Sequence, residues 1–98
     1  MKKILLVALS LIVGSGVALA EIEAIVDRHC QACHDAGLAG APKLDDADSW
    51  SPRILSGIDA MTQTVISGKG AMPPRGTCFQ CSDDQVRLAV ISLISRLK

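Results

Sequence analysis

The chain has 98 residues, 49% of them hydrophobic, and its ten basic and ten acidic side chains cancel to a formal charge of zero. A chain of that length makes one small domain, and without a basic face or a block of like charges it is not expected to bind nucleic acid. With no tyrosine, one tryptophan (Trp50) and one phenylalanine (Phe79) the usual large core fillers are nearly absent, so a cofactor, a metal or disulfides among the four cysteines must supplement the core.

Lys2 and Lys3 precede an apolar run over residues 4–13, glycines follow at positions 14 and 16, and Ala18-Leu19-Ala20 has the small-x-small pattern of an export cleavage site. The uncharged stretch is short and interrupted for a bilayer span. Residues 1–20 are therefore expected to be a signal peptide, and residues 21–98 a mature domain with no membrane span, delivered to an oxidising compartment. That domain holds eight basic and ten acidic side chains, a charge of −2.

Ile22, Ile25, Val26 and His29 fall at helical spacing and predict a first helix that runs into Cys30-Gln31-Ala32-Cys33-His34 and ends at Gly37. Residues 37–52, rich in Gly, Ala, Asp and Pro, read as a wrapping loop whose only large side chain is Trp50. Ser51-Pro52 reads as the start of a second helix with the stripe Ile54, Leu55, Ile58, Met61, Val65 and Ile66, closed by Gly68. Residues 69–81 contain two glycines and the adjacent Pro73 and Pro74, which predict an ordered strap and no helix. The last helix opens with a capping box, Ser82 and Gln85, carries Asp83 and Asp84 at its start and Arg96 and Lys98 at its end, and buries Val86, Ala89, Val90, Leu93, Ile94 and Leu97. Leu88 projects off that face and is expected to be exposed. No strand-like alternation occurs, so the fold class is all-α: three main helices with long loops.

Cys30-Gln31-Ala32-Cys33-His34 is the C-x-x-C-H pattern of covalent haem c attachment. Two thiols at this spacing each add across a vinyl group of one porphyrin, and the adjacent imidazole is left beneath the ring to bind iron. The apolar disc then supplies the core that the side chains lack. Two other uses of the cysteines stand beside this one. A thioredoxin-like dithiol needs a βαβ framework, which the chain does not offer. A zinc-stapled binding module with four thiolate ligands would pair Cys30 and Cys33 with Cys78 and Cys81, across a gap that is long for a compact zinc ribbon.

The iron's opposite face has Met61, Met72 and His29 as available donors. Met61 lies within an apolar stripe and reads as core, and His29 shares a tether with His34. Met72 sits in Gly68-Lys69-Gly70-Ala71-Met72-Pro73-Pro74, where the prolines restrict the backbone, and is the expected second ligand. His/Met ligation raises the reduction potential and leaves no position for substrate, which predicts electron carriage and no enzymatic activity. Partners are then redox proteins that dock briefly. The rival is a haem-based sensor or peroxidase in which Met72 is displaced.

Taken together, these motifs resemble the class I c-type cytochromes, and specifically the bacterial cytochrome c5 group. The resemblance extends over Gly40-Ala41-Pro42-Lys43-Leu44, Trp50-Ser51-Pro52-Arg53-Ile54, Gly70-Ala71-Met72-Pro73-Pro74-Arg75-Gly76 and Cys81-Ser82-Asp83-Asp84. It implies a small cytochrome c fold around one covalent haem c, a monomer in the periplasm, thioethers at Cys30 and Cys33, and iron ligation by His34 and Met72. It further implies that the Pro42 carbonyl orients His34, that Trp50 and Arg53 lie near a haem propionate, and that Cys78 and Cys81 form a disulfide. Val26 and Ile91 stand where relatives often carry aromatics.

Overall fold

Why the first helix delivers the Cys-x-x-Cys-His segment is visible in its turns. In the computed structural model, which describes residues 18–98, α1 (Leu19–Ile25) passes through a π-helical turn (Val26–Cys30) into α2 (Gln31–His34). All but the last three residues of the expected signal peptide lie outside the described residues. Ile22 and Val26, four apart on one helical face, are buried. The π turn inserts one residue into the helical repeat, so the face shifts just as Cys30 is reached, and such turns recur at functional sites. His29 consequently leaves the core face: it is half-buried, with Nδ1 3.1 Å from the Thr77 hydroxyl.

The predicted second helix is in fact two, α3 (Ala47–Leu55) and α4 (Ile58–Ser67). The Asp46 carboxylate caps α3 by accepting the Ser49 N–H at 3.3 Å, so the helix begins within the segment that reads as loop. Pro52 therefore lies inside α3 and does not start it. Gly57, at φ 94° and ψ 161°, separates the two helices, a conformation open essentially to glycine alone. The break re-aims the apolar stripe: Met61 is buried, whereas Leu55 at its head is 84% exposed.

Helix α5 (Asp83–Ser95) starts where the sequence places it, with both hydrogen bonds of the Ser82–Gln85 capping box formed, at 2.8 and 3.1 Å. Its apolar face packs against α1 and α4. One core cluster joins Val26, Leu44, Trp50, Met61, Ala89, Val90 and Leu93, and a second joins Cys78, Cys81 and Val86. Leu88 is exposed. At the end of α5, Arg96 donates to Glu23, Asp27 and Gln31, tying the last helix to the first. Among the described residues there is no strand, only an isolated bridge between Lys69 and Met72, and no helix long and apolar enough to cross a membrane. The molecule is the all-α fold expected, with its second helix divided.

Candidate functional site

The loop after α2 folds back onto His34 through its own backbone. Pro42 lends its carbonyl to His34 Nδ1 at 2.9 Å, and the Leu44 N–H donates to the His34 carbonyl at 3.0 Å. A carbonyl can only accept, so Nδ1 carries the proton and Nε2 keeps its lone pair available to a metal. Between these two residues, the Lys43 carbonyl accepts the Trp50 indole N–H at 2.8 Å. The Trp50 ring is buried and lies 5.2 Å from the imidazole centroid, tilted by 49°. His34 itself is buried. Ring orientation and tautomer are thus set by a short stretch of backbone and one aromatic wall.

The two C-x-x-C pairs differ. Cys78 and Cys81 are joined by a disulfide with Cα atoms 5.4 Å apart and are buried. Cys30 and Cys33 are free thiols, the first half-buried and the second exposed. Burial pushes the unattached Cys30 thiol up to about 11, with the nearby Arg96 charge acting against it. The disulfide removes two of the four sulfurs that a tetrathiolate zinc site needs. Among the described residues no group of three or more His, Cys, Asp or Glu side chains is placed to hold a metal ion, and the zinc-stapled module is set aside.

Met72 is half-buried in the strap. Its N–H and carbonyl exchange hydrogen bonds with the Lys69 carbonyl and N–H, each 3.0 Å. Met61 is a member of the main core cluster, and His29 is engaged with Thr77, so of the three sulfur or nitrogen donors Met72 is the one carried on a loop. Free thiols three positions apart, an imidazole with Nε2 available and a strapped thioether form a donor set that fits haem c.

Trp50 and Arg53 have backbone partners. The single indole N–H goes to Lys43, and Arg53, exposed on α3, donates through Nη1 to the Ser49 carbonyl. Several contacts carry no sequence signal. The acceptors at Pro42 and Lys43 are main-chain atoms, and the His29–Thr77 contact spans 48 positions. The Arg75 interactions with Cys81 and Asp83 have a faint signal, a lone arginine following the two prolines of the strap.

Comparison with known proteins shows the family. Residues 17–91 match the family described as cytochrome C oxidase, cbb3-type, subunit III. Over 68 residues the chain is 48% identical to cytochrome c5 of Ectopseudomonas mendocina, covering 67% of this chain and 78% of that protein. A chain in the crystal structure of the electron transfer complex of nitrite reductase with cytochrome c superposes with a TM-score of 0.74 at 37% identity, covering 85% of this chain and 100% of that one. A mono-heme ferrocytochrome c from Shewanella putrefaciens gives 0.67 at 39% identity, covering 84% and 100%. A thiol pair beside an oriented imidazole, on a helical fold shared with such relatives, places the chain in the class I c-type cytochromes, as a c5-like member with one covalently bound haem c.

Proposed function

We propose that the protein is a periplasmic one-electron carrier in which Cys30 and Cys33 hold the haem as thioethers and His34 and Met72 bind its iron from opposite sides. The observation that carries this reading is the hydrogen bond from His34 Nδ1 to the Pro42 carbonyl at 2.9 Å: it leaves Nε2 as an unprotonated donor, next to two free thiols. Addition of each thiol across one vinyl group would break its S–H bond and the vinyl π bond, form one S–C and one C–H bond, and consume no oxidant. The bound haem supplies the Fe(II)/Fe(III) couple.

The chain's own residues set the rest. A Met72 thioether favours Fe(II) and raises the potential, while two protein ligands leave no position for substrate, which supports a carrier and no enzymatic role. Trp50 backs the His34 ring, and Arg53 offers a cation on the exposed face of α3 to offset propionate charge. Partners are larger redox proteins, met through a small interface of about 1,200 Å² or less; the structural neighbour captured with nitrite reductase supports such docking. Export fits the disulfide between Cys78 and Cys81.

Carbon monoxide separates this reading from a sensor or peroxidase. Reduced protein at neutral pH is expected to keep its spectrum when the gas is added. Rapid formation of a carbon monoxide adduct would assign an open or easily opened iron position instead.

A further inference from the structure

The strap that carries Met72 is fastened on both sides. Upstream, Met72 and Lys69 exchange their two backbone hydrogen bonds, and Gly68 comes so close that a Cβ there would stand 2.8 Å from the Pro74 nitrogen and 2.9 Å from the Met72 carbonyl oxygen. Downstream, Arg75, Gly76 and Thr77 lie consecutively in the left-handed region, at φ 59°, 54° and 67°. Two of these three carry a Cβ, so the arch is unfavourable by itself and persists only if its surroundings hold it.

The Arg75 side chain does this holding. Its Nη1 donates to the Cys81 carbonyl at 3.0 Å, and its Nη2 donates to the Asp83 carboxylate. The arginine side chain is only 27% exposed, so its fork is partly shielded from water and cannot be replaced contact for contact by a lysine. Asp83 is the first residue of α5, a helix anchored within its first turn by buried Val86. The guanidinium thereby bolts the arch after Met72 to a rigid element.

We infer that Arg75 is a positioning residue for the axial methionine: its bidentate grip on Cys81 and Asp83 keeps the Met72 strap ordered, so that the thioether competes successfully with other ligands for the iron. This rests on the reading that Met72 is the second ligand. A thioether is a weak ligand to Fe(III), and any disorder allowed to the strap must be repaid when Met72 binds. Loosening the strap therefore favours an external ligand.

The test is an imidazole titration of ferric holoprotein, followed through loss of the sulfur-to-iron charge-transfer band, alongside each variant's denaturant midpoint. Arg75→Gln is expected to bind imidazole about five- to tenfold more tightly than wild type, as loss of a charge-assisted contact implies. Arg75→Lys should fall between the two, and Asp83→Asn should move in the same direction as Arg75→Gln. Arg87→Gln removes a different ion pair, with Asp59 at 3.3 Å, and should leave imidazole affinity at the wild-type value. Should Arg75→Gln fail to fold, Asp83→Asn and Arg75→Lys decide the matter. The inference is overturned if these variants stay within about twofold of wild type while the band is present, or if Arg87→Gln tightens imidazole binding as much as they do. A wild-type protein lacking the band overturns the Met72 ligation itself, and this inference with it.

Discussion

At the scale of single residues, the site is organised by atoms that have no side-chain identity. His34 and Trp50 both donate to carbonyls of the Pro42–Lys43 backbone, and the Lys43 carbonyl also accepts the Asp46 N–H at 3.0 Å. Trp50→Phe keeps a ring beside His34 and removes the indole donor. Because Lys43 retains its second partner, the cost is expected at about 1 kcal/mol, read as a shift in urea midpoint with the visible spectrum unchanged; a loss several times larger would mean that the indole does more than bond Lys43. Cys30, Cys33 and His34 could be read from the sequence because the chemistry of attachment forces them to be adjacent. Pro42 is legible only through the family resemblance, since it acts through a carbonyl that every residue owns, eight positions from its partner.

At the scale of elements, the contrast between α5 and α3–α4 shows which signals survive folding. The start of α5 is dictated by side chains that bond their own backbone, and the capping box forms as the pattern implies. Ser82→Ala should therefore cost about 1 kcal/mol in denaturant stability, and a negligible change would show the box to be ornamental. For α3 the pattern misleads: Ser51-Pro52 resembles a helix start, but Asp46 has already capped the helix, and Pro52, its sixth residue, forgoes one intrahelical N–H bond. The stripe from Ile54 to Ile66 also conceals Gly57, whose φ of 94° ends one helix and starts another. Nothing lies within 4 Å of a Cβ placed there, so Gly57→Ala isolates backbone strain from packing. It is expected to destabilise by about 1–3 kcal/mol, and an unchanged unfolding midpoint would refute the strain.

For the molecule as a whole, stability depends on joining the two ends of the described chain. Ser92 and Arg96 on α5 and its C-terminal cap both reach Glu23 on α1. The Ser92 hydrogen bond first, and Arg96 second, hold the Glu23 carboxyl below its ordinary 4.5. A carboxyl depressed in the folded state binds fewer protons there than in the unfolded chain. Its stabilisation is complete above the unfolded pKa and is lost as pH falls through the lower, folded one. Thermal unfolding followed from neutral pH down to about pH 3 should show Glu23→Gln less stable than wild type near neutrality, with the two curves converging in acid; parallel curves would contradict this role. The sparse aromatic content already announced that side chains alone would not fill this fold, and only Trp50 joins the core, Phe79 being exposed. The covalent haem of the family accounts for the remainder.

Whether His34 and Met72 are the iron's two axial ligands in an electron carrier is decided by optical spectra of oxidised and reduced protein, for wild type and for Met72→Ala. A low-spin c-type spectrum with a sulfur-to-iron charge-transfer band at the red end, present in oxidised wild type and absent from the variant, is the predicted result. A band missing from wild type, or one that survives the substitution, would mean that Met72 is not the second ligand.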